Sequence, residues 1–213
     1  GFSQTAIHVY DRIAERAPRL GATYHARGVA HYQEDRLDMA INDLTVAMSL
    51  IGEEPQAMYD RGVAYMRSGR FNEAATDFER ALKHREQFNN TIISNPGSIV
   101  QGSAQESLLG YRFGGAHPFV YTNLAWTYYF LGRFEQARSA ITRGLQRYED
   151  SGSIYLAGLI EARLGDMPKA ADWVGRAART DPHNSVFAQT LAKFTKERDR
   201  AAIESWLGEM VTL

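Results

Sequence analysis

Histidine, serine and cysteine are the side chains that most often carry catalysis or bind metals, and here they form no recognised constellation. The sequence has no cysteine, which excludes disulfides, thiolate metal sites and cysteine nucleophiles. His25 and His31 are six residues apart and face different sides of a helix, whereas helical metal-binding histidines lie four apart. Ser103 and Ser107 have no neighbouring base. We therefore predict no catalytic residue, no metal and no cofactor, and expect the protein not to be an enzyme.

Composition and charge argue against two further kinds of partner. The chain has 24 Lys plus Arg and 25 Asp plus Glu, a formal net charge of −1 that gives no general attraction to nucleic acid or anionic membranes. It contains no apolar run of the roughly 18 residues that a membrane-spanning helix needs. We predict a soluble protein with no nucleic-acid partner and no direct membrane insertion. The compartment stays open, with the cytoplasm slightly favoured.

A pattern of small and large apolar residues recurs along the chain, and its clearest copy spans residues 55–88. Three small residues of that copy have counterparts 34 positions earlier: Gly62 and Gly28, Ala74 and Ala40, Ala81 and Ala47. A fixed period of this length is typical of a helical solenoid. Glycine inside a helix costs about 1 kcal/mol relative to alanine, so its recurrence indicates that a neighbouring helix approaches closely there. The sequence predicts an all-α fold of helix–turn–helix units.

The repeats divide the chain into seven segments of one predicted solenoid, residues 1–213. They are a half repeat at 4–18, repeats at 21–54, 55–88, 118–150 and 151–184, an inserted loop at 89–117, and C-terminal capping helices at 185–213. Because the first segment matches only the second helix of a repeat, we expect a fragment of a larger protein or a processed chain. The insertion is either a tolerated surface loop or an apolar arm that packs on the binding surface.

The repeats resemble the tetratricopeptide repeat, a 34-residue pattern with Leu-Gly, Tyr, Ala, Phe, Ala and Pro at set offsets. The resemblance covers residues 4–88 and 118–184. It implies a right-handed superhelical solenoid of antiparallel helix pairs, in which the first helix of each pair lines a concave groove. It also implies a protein-binding scaffold without catalysis.

Six residues depart from the tetratricopeptide pattern, among them Gly52 and Glu86, which stand where it has the closing proline. Arg27 and Arg61 stand where the pattern has leucine, and His31 and Glu161 stand where it has the first tyrosine. We expect these departures to affect helix surfaces and turns more than the contact between helices. We expect the histidines to be satisfied at surfaces or interfaces.

The stripe of each first helix that lies opposite the small residues should face the groove. This selects ten candidate partner-binding residues: Tyr32, Tyr59, Met66, Arg67, Phe119, Trp126, Tyr129, Phe130, Tyr155 and Arg163. The aromatic members predict a trough for an apolar or amphipathic segment of another protein. The two arginines could pair with an acidic group at its edge. Two alternatives stay open, namely a groove filled by the chain's own insertion or C-terminal helices, and plain packing between repeats.

Our leading hypothesis is a protein–protein interaction adaptor. The alternatives are a regulatory domain of a larger protein and a structural module that self-associates through the half repeat. The apolar stripe Ala6, Val9, Tyr10 and Ile13 motivates the last alternative, since an incomplete repeat leaves that stripe open.

Overall fold

The computed structural model describes residues 2–52, 54–94, 119–196, 203 and 205–208. Among these residues there are helices and turns but no strand, which confirms the predicted all-α fold. The helices are α1 (Phe2–Arg16), α2 (Gly21–Gln33), α3 (Leu37–Ile51), α4 (Pro55–Arg67), α5 (Phe71–Ser94), α6 (Phe119–Phe130), α7 (Phe134–Leu145), α8 (Ser151–Leu164), α9 (Met167–Thr180) and α10 (Ser185–Lys196).

The chain forms two compact units, Gly1–Val120 and Tyr121–Leu213. In the first unit, each of the helices α1 to α4 packs on the next one along the chain. In the second unit, α8 packs on α7 and α9, and α9 also packs on α10. Short turns between consecutive packed helices give antiparallel pairs. Each unit therefore consists of packed helix pairs.

A residue in the left-handed backbone region ends the first helix of each pair. The four residues are Asp35 (φ 60°), Gly69 (φ 76°), Gly132 (φ 71°) and Gly165 (φ 88°). The amide after each one donates a hydrogen bond back into the last helical turn, as from Arg70 N to the Tyr65 carbonyl at 2.9 Å. Glycine adopts this conformation without a steric penalty, and aspartate is among the few other residues that tolerate it. These residues fix where each pair turns.

The paired helices approach each other most closely at the recurring glycines, as the sequence predicts. A Cβ added to Gly62 of α4 would lie 2.8 Å from the Phe78 ring of α5. One added to Gly158 of α8 would lie 2.6 Å from Val174 Cγ2 and 3.1 Å from the Ala170 carbonyl oxygen. Real Cβ contacts are longer, so only glycine fits these positions without a shift of the neighbouring helix.

Buried arginine–aspartate pairs hold the helix pairs of the first unit together. The Nε and Nη2 groups of Arg61 donate to both carboxylate oxygens of Asp77 at 2.7 and 2.8 Å, and Nη1 donates to Thr45 Oγ1 at 3.0 Å. Arg27 bonds Asp43 in the same two-pronged way. The hydrogen bonds to Asp77 raise the pKa of Arg61. The expectation that these arginines affect mainly helix surfaces is therefore wrong, because both guanidinium groups lie between helices.

Apolar residues replace these ion pairs in the second unit. Leu124 precedes Ala125 as Arg61 precedes Gly62, and Ala140 holds the position that corresponds to Asp77. Leu124 and Ala140 are both buried. The same junction of two helices is therefore charged in one unit and apolar in the other.

Helix α5 continues past Phe88 to Ser94, into the segment predicted as a loop. No glycine or proline interrupts residues 71–94, whereas Pro96 disfavours helical backbone at the residue before it. The rest of the predicted insertion, residues 95–117, lies outside the described residues. Its role as a surface loop or as a covering arm stays a prediction.

Replacing Gly158 by alanine should lower the free energy of unfolding by about 1–2 kcal/mol, because the new Cβ meets the Ala170 backbone as well as a side chain. Gly175 in α9 is the matched control, since a Cβ there has no neighbour closer than 3.5 Å. Gly175→Ala should stabilise the helix by up to about 1 kcal/mol. Urea denaturation measures both variants, and a Gly158→Ala protein as stable as the wild type would show that the close approach is relaxed in solution.

Asp77→Ala should lower the free energy of unfolding by about 3 kcal/mol, because it leaves the Arg61 guanidinium between helices without its carboxylate. The double variant Arg61→Leu plus Asp77→Ala copies the Leu124–Ala140 pair, so it should recover most of that loss. Denaturation of both single variants and the double variant gives the coupling energy. If the stability losses of the two single variants simply add up in the double variant, Arg61 and Asp77 do not stabilise each other as an ion pair.

Candidate functional site

Four of the ten candidate residues lie on the first helices of the first unit, on a face that we call the α2–α4 surface: Tyr32, Tyr59, Met66 and Arg67. The Arg67 guanidinium lies 5.0 Å from the centre of the Tyr32 ring and donates to Asp35 at 2.8 Å. Tyr32 also packs against the core of α3 and α4. Tyr59 lies with its ring centre 5.9 Å from that of Phe78, and Met66 is half-buried. The structure thus joins Tyr32 to Arg67, while Tyr59 contacts α5.

A second contact between α2 and α4 involves residues that the ten candidates do not include. His25 Nε2 lies 2.8 Å from Asp60 Oδ2, and Gln56 donates to Asp60 Oδ1 at 2.9 Å. His25 and Asp60 are 35 residues apart, as are Tyr32 and Arg67. These two contacts between successive first helices therefore fall one residue beyond the 34-residue period. That spacing is the sequence signal that could have identified this pair.

An aromatic cluster occupies the corresponding face of the second unit, which we call the α6–α8 surface. Trp126 stacks on Phe130 with ring centres 5.7 Å apart, and its edge meets Tyr129 at 5.8 Å. Tyr129 also meets Phe134 of α7 at 5.6 Å. Phe130 is 36% exposed, whereas Tyr129 is only 3% exposed. The cluster therefore has a buried base at Tyr129 and an accessible side at Phe130.

Arg163 of α8 covers the edge of this cluster. Its guanidinium lies 5.7 Å from the centre of the Tyr129 ring, and its Nε donates to the Tyr129 hydroxyl at 3.3 Å. Burial raises the pKa of Tyr129, and the bond from Arg163 opposes that shift. Tyr129 and Arg163 hold the same positions in their repeats as Tyr32 and Arg67 hold in theirs. Stacking of an arginine on the tyrosine of the preceding first helix is thus common to both units.

Tyr155 is packed against the C-terminal helix α10. Its hydroxyl lies 2.9 Å from Thr190 Oγ1 and its ring centre 4.7 Å from that of Phe187, and it is only 7% exposed. Burial raises the pKa of the phenol, with the bond to Thr190 opposing the shift. For this residue, the structure shows the packing against a C-terminal helix that the sequence left open.

Exposure separates the ten candidates into three groups. Arg67, Phe119 and Phe130 are exposed; Tyr32, Tyr59, Met66, Trp126 and Arg163 are half-buried; Tyr129 and Tyr155 are buried. Phe119, the first residue of α6, is 39% exposed. Contact of any of these residues with a partner stays a prediction.

Family models of the tetratricopeptide repeat match residues 55–88 and 122–185. These residues form tetratricopeptide repeats. The match lies on the helix pairs whose glycine contacts, left-handed turns and first-helix surfaces are described above. Tetratricopeptide repeats are in general non-catalytic units of protein interaction, which supports a role in protein–protein interaction.

Solved structures share this fold at low sequence identity. A crystal structure of MamA protein has a TM-score of 0.66 and 16% identity, and the alignment covers 87% of this chain and 86% of that one. YrrB, described as a TPR protein with an unusual peptide-binding site, has a TM-score of 0.63, 17% identity and coverages of 90% and 86%. A structure of MamA from Desulfovibrio magneticus RS-1, from residue 41 to the end, has a TM-score of 0.62 and 14% identity. The alignment covers 97% of this chain and 93% of that one. These structures confirm the predicted tetratricopeptide-type solenoid fold. A comparison with curated protein sequences found no match.

Two of the repeats bury a titratable side chain where the tetratricopeptide pattern has tyrosine. His31 is 3% exposed, with Nε2 3.7 Å from Asp43 Oδ2, and Glu161 is 4% exposed. Among the described residues, His31 Nδ1 and Glu161 Oε2 are the buried side-chain atoms without a hydrogen-bond partner. Burial lowers the pKa of His31, although Asp43 opposes the shift. The expectation that these substitutions affect mainly surfaces and turns is wrong, because both side chains point inward.

The half repeat forms α1, which buries Ile7 and Ala14 and leaves Val9 50% exposed. Asp43 of α3 faces α2, the first helix of the same pair. Val9 lies 34 residues before Asp43 and so holds the corresponding position in α1. Self-association through this side of α1 stays a prediction.

Metal-binding groups and membrane-spanning helices are both absent from the described part of the chain. No group of three or more His, Asp or Glu side chains there could hold a metal ion. No helix in the same residues is long and apolar enough to cross a membrane.

Acidification should destabilise the first unit through His31. The unfolded imidazole takes up a proton near pH 6.5, whereas burial beside Arg27 and Arg36 lowers the folded pKa, and the carboxylates of Asp43 and Asp11 only partly compensate. The stability that His31 provides is therefore complete above about pH 6.5 and is lost as the pH falls from there toward the folded pKa.

The variant His31→Tyr carries the residue that Tyr65 and Tyr128 supply at this position, and it cannot titrate in that range. Its stability advantage over the wild type should grow by up to about 1.4 kcal/mol per pH unit below 6.5. Urea denaturation at pH 7.5 and 5.5 measures this difference, and His183→Tyr, at an exposed histidine of the second unit, is the control. A difference between the two proteins that does not change with pH would contradict the prediction.

Proposed function

We propose that this chain is an adaptor that binds an apolar or amphipathic segment of a partner protein on the α6–α8 surface. The observation that carries the proposal is the stacked pair of Trp126 and Phe130, of which Phe130 is 36% exposed. Aromatic residues dominate the energetic centres of protein interfaces because they bury a large apolar area with few rotatable bonds.

The aromatic pair is fixed before any partner arrives. The Tyr129 ring packs against Trp126. Tyr129 itself packs against Phe134 and accepts a hydrogen bond from Arg163. A preorganised surface loses little conformational freedom on binding, so more of the contact energy contributes to affinity. This arrangement suits a helical or extended apolar segment that lies across the two rings.

Arginines border the aromatic side chains of both surfaces. Arg163 lies over Tyr129 on the α6–α8 surface, and Arg67 lies over Tyr32 on the α2–α4 surface. A guanidinium at the edge of an apolar surface favours a partner segment that carries an acidic residue beside its apolar ones. We propose the α2–α4 surface as a second contact for the same class of partner. The peptide-binding site ascribed to YrrB offers a precedent for a peptide on this fold.

A display library of 16-residue peptides without tyrosine provides the probe. Peptides selected on the wild-type protein should be apolar or amphipathic, and Trp126→Ala plus Phe130→Ala should weaken their binding at least tenfold, since loss of such anchors typically costs about 2 kcal/mol. The double variant keeps the buried Tyr129, so the fold should survive, and circular dichroism checks this. Calorimetry gives the dissociation constants.

The matched control is Tyr148→Ala, which removes an aromatic side chain that is 48% exposed and lies outside both surfaces. This variant should bind the selected peptides as the wild type does. Equal affinity of the folded double variant and the wild type would rule out the α6–α8 surface as the binding site.

A further inference from the structure

One position in the repeat carries a tyrosine in two helix pairs and a buried polar residue in the other two. It lies four residues before the left-handed turn residue and holds His31, Tyr65, Tyr128 and Glu161. Tyr65 packs against Ala40 and Ile41 of the preceding second helix, and Tyr128 is buried. The Tyr65 ring therefore fills the space beside the preceding second helix in its repeat. Glutamate lacks the ring that would fill the same space beside α8.

A cleft of about 790 Å³ lies beside Glu161, between α7 and α9 and above α8. Its apolar walls are Ile141 and Leu145 of α7, Ala157 of α8 and Trp173 of α9. None of the ten candidate partner-binding residues lines it. A cleft of this volume can take a side chain with its flanking backbone.

The carboxylate of Glu161 has one partnered and one unpartnered oxygen. Lys169 Nζ lies 2.7 Å from Oε1. Oε2 is buried without a hydrogen-bond partner, and Arg138 Nη1 lies 3.9 Å from it while Arg138 Nη2 bonds Glu135. A buried acceptor without a donor is unfavourable, so a ligand that donates a hydrogen bond there is stabilised.

The chemistry of the cleft selects the kind of donor. Lys169 already balances the Glu161 charge, and the other charged residues of the lining, Arg138 and Arg143 with Glu135 and Glu149, also balance, so the cleft has no excess negative charge that would attract a further cation. The apolar walls and the Trp173 ring favour a flat apolar body over a small polar one. An aromatic ring that carries a neutral hydroxyl satisfies both requirements.

We propose that this cleft binds a tyrosine side chain of a partner protein, whose phenol hydroxyl donates a hydrogen bond to Glu161 Oε2. The partner's ring takes the space that corresponds to the one Tyr65 fills in its own repeat. The site is separate from the α6–α8 surface and does not depend on the function proposed for it.

The probes are N-acetyltyrosinamide, N-acetylphenylalaninamide and N-acetyllysinamide, titrated into ¹⁵N-labelled protein. The indole N–H of Trp173 reports on the cleft, and those of Trp126 and Trp206 serve as internal controls outside its lining. The tyrosine amide should shift the Trp173 signal in a saturable manner. The phenylalanine amide should bind at least about tenfold more weakly, since it cannot donate to the carboxylate.

Two variants test the role of Glu161. Glu161→Leu keeps a similar volume but removes the acceptor, and Glu161→Tyr introduces the residue of the neighbouring repeats and fills the cleft. Both should abolish the preference for tyrosine, and circular dichroism and urea denaturation confirm that they fold. Asp172→Asn, which alters an exposed carboxylate of α9 outside the lining of the cleft, should retain the preference.

Several outcomes would overturn the proposal. They are no shift of Trp173, equal binding of the tyrosine and phenylalanine amides, stronger binding of the lysine amide, or wild-type binding by folded Glu161→Leu. The first of these would mean that Arg138 closes on Glu161 in solution and supplies the missing donor itself. Because none of the probes tests Phe130, these results are independent of the peptide-binding experiment.

Discussion

The close contact between the two helices of each pair is the constraint on which the rest of the structure depends. Gly62 and Gly158 have no side chain where Phe78 and Val174 press against them, and a buried Ala125 holds the same place in α6. This contact fixes which side of each first helix is buried. The opposite side then meets the first helix of the next pair, and contacts such as His25–Asp60 form there.

The residues beside this contact are charged in the first unit and apolar in the second, although they lie at the same place in the helix pair. In the first unit, Arg61 and Asp77 form a buried ion pair, whereas Leu124 and Ala140 occupy the same place in the second unit. A buried ion pair needs its hydrogen bonds satisfied, and here Thr45 adds a third acceptor from the preceding pair. Arg61 therefore also links its own helix pair to the preceding one, through a bond that the side chain of Leu124 cannot make.

The fold could be predicted from the sequence because small residues recur with a 34-residue period that is visible in the sequence itself. The sequence was less informative about the polar interior. Arg61 meets Asp77 on another helix, 16 residues away, so helical spacing within α4 does not indicate that contact. Tyr129 and Tyr155 share their stripe with Phe130, yet neighbouring helices bury them while Phe130 stays accessible. Periodicity identifies a face but not what covers it.

The central claim is that the first helices of the second unit carry the partner-binding surface. Chemical-shift mapping with ¹⁵N-labelled protein and the tightest tyrosine-free peptide from the library tests it most directly. We expect the shifted amides to belong to α6 and α8, with the largest changes around Trp126, Phe130 and Arg163. Shifts confined to α7 and α9 would contradict the account, since those helices line the Glu161 cleft instead.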